Sequence, residues 1–352
     1  MSVTTHERPG VYSEYDASSV VQGRQGRKMV GMAAIHATAP AGVPQTVTSY
    51  EGALIAFGST GGQDMTELIR LALKNGAAGV VAVPVADEEG YEAAFAALAA
   101  MDDIGVVICD SVDREVQQSL RDSAAAASAA RRERIAVAAG GAGETVTELL
   151  ERAKALNSER VVLVAPGGTD EEGEAVSGLS LAAAVAGAIA GTTDPALPLG
   201  GAVLSGLYGL ETTYGDNDLD LLIRGGVTPA ERTGGVTSVV RGVTTRTTTD
   251  GTADTTWREL STILVVDDVI PGIRSALRSK FHRAKNTEQS RGAIRSQVVL
   301  ELENKKAREI ITGYDGVRVS ADSENPTVCV VEFSFTVAHG LNQIWLTAHI
   351  TV

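Results

Sequence analysis

The chain has 352 residues, enough for a sizeable core and, as a first expectation, about two domains. Aromatics are only 4 % of it while glycine alone accounts for 38 residues, so the interior is expected to be aliphatic and closely packed. The net charge of −14 is uneven: residues 1–28 carry 4 basic and 3 acidic side chains, residues 29–231 carry 11 and 28, and residues 232–352 carry 15 and 13. This places solvent against the middle and an acidic partner against the C-terminal part, and with no basic patch interleaved with aromatics it excludes nucleic acid as the expected partner.

The N-terminus, MSVTTHERPG, has no signal-peptide hydrophobic region, and no apolar run reaches the roughly 18 residues of a membrane span. The expectation is a protein folded in a cytoplasm, with no membrane insertion of its own. Residues 1–27 contain ERPGVYSEYDASSV and QGRQGR, with Pro9 and Gly10 as a turn and too few apolar residues to fold alone. They read as an extended arm and linker.

From Lys28 strand and helix alternate. KMVGMAAIHA opens as a strand, and DMTELIRLALKNG follows as a helix with Leu68, Ile69, Leu71 and Leu73 on one side, stopped by Asn75 and Gly76. Strands are predicted at 79–85, 104–109, 135–138 and 160–165, with helices at about 91–100, 112–132 and 144–156. Short aliphatic strands between helices of this length point to a mostly parallel sheet covered on both faces. A further helix, 178–190, is almost wholly apolar and must be buried. Cys109 and Cys329 each lie in an apolar β-like run and read as reduced core thiols, not as a disulfide or metal pair.

After GTTDPALPLGG come a short helix, DNDLDLLIRGG, and β-like runs VTPAERT and VTSVVRGVTTRTTTDG. Residues 255–281 form a long apolar-periodic segment with Thr255 or Thr256 as N-cap and Pro271 as the expected break. A second long helix is predicted over about 288–311, and residues 315–321 lead into the terminal strands. The last stretch, TVCVVEFSFTVAHGLNQIWLTAHITV, reads as two strands around Gly340 and Asn342. The second strand has Ile344, Leu346, Ala348, Ile350 and Val352 on one face and Trp345, Thr347, His349 and Thr351 on the other. Chain ends normally fray, so this one must be tied into a sheet, either as an edge strand of its own domain or as a strand given to a neighbour.

Catalytic patterns are weak. SGLSLAAAVAG, residues 177–187, resembles the serine-bearing helix of subtilisin-like proteases, but the alignment puts the nucleophile position on Leu179, one residue off Ser180. A serine triad needs an imidazole base, and the five histidines are His6, His36, His282, His339 and His349, with none from 37 to 281. No GxxxxGK[ST] or GxGxxG follows a strand. Asp216, Asp218 and Asp220 lack the rest of a calcium loop and read as the acidic opening of a helix, and Asp170, Glu171, Glu172 and Glu174 read as a solvated loop. No catalytic, cofactor or metal site is expected.

The segments ERPGVYSEYDASSV, SERVVLVAPG, SVVRGVTTRTTTDGTADTTWRELSTILVVDDVIPGIRSAL, RGAIRSQVVLELENKKAREI and PTVCVVEFSFTVAHGLNQIWLTAHITV resemble the tail sheath proteins of contractile phage tails and phage-tail-like bacteriocins. The likeness runs over nearly the whole chain, which lacks the β-sandwich insertion that longer members carry after the strand at 79–85. It implies an α/β sandwich fold with a subtilisin-like, non-catalytic middle, an α+β C-terminal domain and extended β-strand arms at both termini. The divisions expected are an N-terminal arm at 1–27, a small α/β region at 28–100, the subtilisin-like region at 101–232, a C-terminal core at 233–340 and a strand arm at 341–352.

The resemblance further implies a structural subunit that polymerises as rings around a rigid tail tube by strand exchange. The residues expected in that exchange are Val11, Tyr12 and Tyr15 of one arm and Ile344, Leu346, Ala348, Ile350 and Val352 of the other. Gly23 and Gly26 suit a hinge. Contraction would drive the tube through a target envelope. The expected partners are other copies of the chain, the tube protein, and baseplate and terminator proteins, with assembly in a bacterial cytoplasm and residence in a phage tail or a released particle. The basic residues Arg278, Lys280, Arg283 and Lys285, with Lys305, Lys306 and Arg308 on the next helix, are the expected tube-facing surface. The other reading that the α/β pattern allows is a degenerate hydrolase-like enzyme whose arms make a homo-oligomer.

Overall fold

The computed structural model describes residues 28–342 and 344–348. The chain begins with β1 (Met29–Ile35), β2 (Gln45–Val47), α1 (Tyr50–Phe57), α2 (Met65–Lys74), β3 (Val80–Val85), α3 (Tyr91–Ala99), β4 (Ile104–Cys109), α4 (Arg114–Ala129), β5 (Ile135–Ala139), α5 (Val146–Leu156) and β6 (Val161–Ala165). It continues with β7 (Gly168–Thr169), β8 (Ala175–Val176), α6 (Leu179–Gly191), β9 (Val203–Leu204), β10 (Gly209–Leu210), α7 (Asp216–Arg224), β11 (Val227–Thr233), β12 (Val236–Val239), β13 (Thr248–Thr249) and β14 (Thr252–Ala253). The last third is α8 (Leu260–Phe281), α9 (Glu288–Ala307), β15 (Ile311–Ala321) and β16 (Cys329–Val337).

One sheet organises the first two thirds, in the order β2-β3-β1-β4-β5-β6-β11-β12-β9. It is parallel from β3 through β11, with β2, β12 and β9 antiparallel at its two ends. Its central strands are buried on both faces, which is why they read as unbroken aliphatic runs instead of alternating ones. Phe57, Met65, Leu68, Leu181, Val185, Leu260 and Ile263 cover one face, from α1, α2, α6 and the start of α8. Tyr91, Phe95, Leu120, Leu149 and Leu222 cover the other, from α3, α4, α5 and α7. The cut expected after residue 100 falls between β1 and β4, which pair side by side, so both regions share this sheet. The cut expected after residue 232 falls inside β11, which pairs with β12.

Small residues let α6 lie directly on α2. A Cβ built on Gly187 would sit 2.3 Å from the carbonyl oxygen of Ala72, and one on Gly191 would sit 2.8 Å from the Cα of Gly76. Only glycine permits that approach.

The second core joins α8, α9 and the two-stranded β15–β16 sheet through Val265, Val269, Ile273, Val298, Leu302, Ile310 and Ile311. Ion pairs Arg160–Asp267 and Glu133–Arg274 tie α8 back to the α/β body. The threonine-rich run does the same with side chains: Thr245 Oγ1 donates to the Ser158 carbonyl at 3.1 Å, Thr244 Oγ1 to that of Trp257 at 2.7 Å, and Asn157 Oδ1 accepts from Thr247 N–H at 3.1 Å.

Three expectations change. Pro271 does not break the helix; α8 runs through it, because Val269 and Ile273 on either side are held in the second core and outweigh one missing backbone bond. The helix starts at Leu260 and not after Thr255 or Thr256, since Val243 and Glu259 form an isolated bridge that keeps the preceding residues extended. The second helix ends at Ala307, where Glu309 adopts a left-handed φ of 57°, and Ile311 already belongs to β15. Between β1 and α2, where no element is predicted, β2 pairs antiparallel with β3 at the end of the sheet and α1 follows it.

Candidate functional site: the terminal segment, an open sheet edge and a basic helix end

Several polar groups at places where an α/β protein would carry chemistry are engaged by the chain's own groups. Ser180 Oγ accepts from Gln63 Nε2 at 3.0 Å, and Ser177 Oγ donates to Gln63 Oε1 at 2.8 Å. His36 is held by backbone: Nε2 is 2.8 Å from the Phe57 carbonyl and Nδ1 accepts from Ala39 N–H at 2.9 Å. The glycine-rich loop 140–145 at the carboxyl end of β5 is where an anion would bind, yet Gly143 N–H donates to the Glu211 carboxylate at 3.0 Å. Beside it Glu144 pairs with the buried Arg152. At the end of β4, Asp110 accepts from the Tyr91 hydroxyl at 2.5 Å and from Ile35 N–H at 2.8 Å, and burial pushes its carboxyl above the usual range.

At the C-terminus, Ala338 N–H donates to the Ile310 carbonyl at 3.2 Å, and Gly340 crosses Pro198 so closely that a Cβ would lie 2.7 Å from its ring. Beyond that crossing Ile344, Trp345 and Leu346 are 81 %, 89 % and 91 % exposed. Residues 344–348 join no ladder of the chain's own sheets, so among the described residues the edge-strand reading is corrected. Of the expected exchange residues, Ile344, Leu346 and Ala348 lie in this exposed segment. Val11, Tyr12, Tyr15, Ile350 and Val352 lie outside the described residues, as do Gly23 and Gly26.

Among the described residues the β15–β16 sheet has no further strand on either edge. Its apolar side, Val331, Phe333, Phe335 and Val337, packs on the second core but stays half-buried, with Phe333 and Phe335 stacked at 6.3 Å. Such an edge offers unpaired main-chain groups beside an incompletely covered apolar strip.

Arg278 and Lys280 end α8, and Arg283 and Lys285 follow in the turn; all four are exposed. Lys280 Nζ donates to Gln297 Oε1 at 2.6 Å. Asn286 fastens the turn to the β15–β16 hairpin by donating to the Pro326 and Val328 carbonyls at 2.8 and 3.0 Å. No sequence pattern announced that tether, because its partner is 40 residues away. Lys306 and Arg308 are exposed at the end of α9. Lys305 is not tube-facing. It is 5 % exposed, and its ammonium pairs with Asp268 at 2.5 Å, between α9 and α8. The signal was present in the spacing, since Val298, Leu302 and Lys305 share the inward face of α9.

Models of two domains match this chain: the phage tail sheath protein central domain over residues 85–245, and the phage tail sheath C-terminal domain over residues 252–351. The chain belongs to the contractile tail sheath family. It is 28 % identical over 219 residues to the tail sheath protein of Bacillus phage SP01, an alignment covering 60 % of this chain and 37 % of that relative's length. Among solved structures it resembles the helical sheath of the anti-feeding prophage in its contracted state, with a TM-score of 0.73 and 18 % identity over 98 % of this chain and 99 % of the other. It also resembles the sheath tail protein of Desulfitobacterium hafniense, with a TM-score of 0.71 and 14 % identity over 93 % and 100 %. At those identities the likeness speaks for the mixed α/β fold.

Proposed function

We propose that the chain is a structural sheath subunit that polymerises around a rigid tail tube by strand exchange and contracts to drive the tube through a target cell envelope. The observation that carries the reading is the terminal segment: period-2 alternation kept to Val352 on a stretch whose described residues stand 81–91 % exposed at Ile344, Trp345 and Leu346. A segment of that pattern suits addition to another copy's sheet, and among the described residues the half-covered two-stranded sheet carries no further strand.

The role is structural and not catalytic. Partners are other copies of the chain, the tube protein, and baseplate and terminator proteins. The relatives support the first and the baseplate, since two of them are a contracted helical sheath and a baseplate of the anti-feeding prophage. Assembly takes place in the bacterial cytoplasm, and the product is a phage tail or an extracellular particle. The subtilisin-like middle is a rigid scaffold, Gly23 and Gly26 serve as the hinge of the N-terminal arm, and Arg278, Lys280, Arg283, Lys285, Lys306 and Arg308 face the tube. Exposed pairs are individually weak and salt-screened, so a ring of them grips the tube and still releases it on firing.

Deleting residues 1–27, or the last ten, is expected to leave a folded, soluble monomer by size-exclusion chromatography that adds to no polymer. Ile350→Pro, which removes one ladder donor, is expected to weaken polymerisation with the circular dichroism spectrum unchanged. Normal sheaths from either truncation would contradict strand exchange.

A further inference from the structure

A crevice of about 520 Å³ opens beyond the carboxyl ends of β1 and β4, with Ile35, Glu88, Tyr91, Asp110, Val112 and Arg114 in its lining. Its place follows from the topology. β1 and β4 are neighbours in the sheet, yet the chain leaves β1 toward β3 on one side and leaves β4 toward β5 on the other. Connections that part in this way leave the ends of two adjacent strands uncovered, which is where open α/β sheets bind ligands. We propose that this crevice binds a primary ammonium group on a flexible alkyl stem, with Asp110 as the carboxylate that receives it.

Asp110 takes one hydrogen bond on each oxygen, from Ile35 N–H at 2.8 Å and from the Tyr91 hydroxyl at 2.5 Å. A carboxylate has about four acceptor sites, so each oxygen keeps capacity to spare. Both donors are neutral. Burial and the neighbouring Asp110 push the Tyr91 hydroxyl up, which keeps it protonated and donating. Among the described residues no cationic side chain pairs with Asp110. Burial accordingly pushes its carboxyl above the usual range. A carboxylate held out of water without a counter-charge, beside an open crevice, is where an incoming cation gains most.

The other charges around the crevice are already committed. Arg152 pairs with Glu144 and donates to the Val112 carbonyl at 2.7 Å and to Gln117 Oε1 at 3.1 Å. Asp113 caps α4, accepting from Glu115 N–H at 2.8 Å and from Val116 N–H at 3.1 Å, so this helix end is no anion cradle. Arg114 is exposed and acts on Glu148 of α5, whose carboxyl is held down first by hydrogen bonds from Thr145 and then by that guanidinium. Glu88, exposed on the turn before α3, adds a second carboxylate to the crevice. A divalent metal fits less well, since among the described residues no three His, Cys, Asp or Glu side chains are grouped to hold one. An ammonium needs only acceptors for its three N–H groups, and Ile35 and Val112 give its stem an apolar wall.

Such a group comes either free, as a small amine, or on a lysine of another copy of the chain. Ligand-observed NMR on the unassembled full-length chain tests the site, with n-pentylamine as the probe and n-pentanol as its neutral counterpart. Pentylamine is expected to bind with a Kd of about 1 mM, within reach of so small a ligand. Asp110→Asn, which keeps the shape of the side chain, should weaken binding at least about tenfold. Pentylamine that binds no better than pentanol, or as well to Asp110→Asn as to the parent, overturns the proposal. Should Asp110→Asn not fold by circular dichroism, Glu88→Gln decides, with weakening of at least about threefold expected and unchanged binding as the refutation. Carbodiimide coupling in sheaths assembled from mixed unlabelled and isotope-labelled chains then names the source. An amide between Asp110 or Glu88 and a lysine of a differently labelled copy identifies a neighbour's lysine, and its absence assigns the site to a free amine. Only this second step rests on the sheath reading above; the binding measurement needs no polymer, so the two fail separately.

Discussion

Replacing Lys305 by methionine separates the two roles its charge could serve. Methionine keeps the length and apolar stem but removes the ammonium that pairs with Asp268 at 2.5 Å, with side chains only 6 % and 14 % exposed. Removing one partner of a buried pair costs about 3–5 kcal/mol. The residual exposure of Asp268 puts the expected loss for Lys305→Met at the low end, about 3 kcal/mol, measured by urea unfolding of freshly purified, unassembled full-length chain. Adding Asp268→Leu removes the other charge of the pair, and the double variant should recover to within about 1.5 kcal/mol of the parent. The exposed neighbour is the control, with Lys306→Met expected to change unfolding by less than about 0.5 kcal/mol. If Lys305→Met unfolds like the parent and instead loses its hold on tubes, the burial argument is wrong and Lys305 returns to the tube-facing group.

Three further outcomes follow from other parts of the molecule. Gly187→Ala forces α6 off the Ala72 carbonyl and should lower unfolding free energy by about 2 kcal/mol, whereas Gly292→Ala on the open side of α9, where a Cβ meets nothing within 4 Å, should be neutral or slightly stabilising. Reversing Arg278, Lys280, Arg283 and Lys285 to glutamate should leave the circular dichroism spectrum intact and favour contracted sheaths assembled without a tube; extended sheaths on tubes at normal salt would move the gripping surface elsewhere. Asp254 has its carboxyl held down to about 2 from 3.8 by hydrogen bonds from the Thr249 hydroxyl and Thr256 N–H. A depressed carboxyl stabilises the fold above its unfolded value and loses that contribution as pH falls from 3.8 toward 2, so the parent should lose more stability than Asp254→Asn across that window, and equal losses would show the bonds to be inert.

The α/β body was legible because its signals are local. Strands buried on both faces, such as Val80–Val85 and Ile104–Cys109, are aliphatic runs of the right length, and the helices between them have caps such as Asp64 and Thr145. What the sequence hid is settled by distant contacts. Pro271 looks like a stop until Val298 and Leu302 pack against its helix, and α1 is too short and too evenly apolar to show a periodic face before it lies on the sheet. The candidate site divides in the same way. The alternation from Ile344 to Val352 is visible in one dimension, whereas the bulges of β15 and the inward turn of Lys305 depend on register and on a partner helix.

The central claim is that these arms build a sheath, and electron microscopy of the purified full-length chain tests it most directly. Helical tubes or stacked rings of the full-length chain, absent from parallel grids of a variant lacking the last ten residues, are the predicted result. A full-length chain that stays monomeric, or one that forms the same tubes without its terminal strand, would contradict the account.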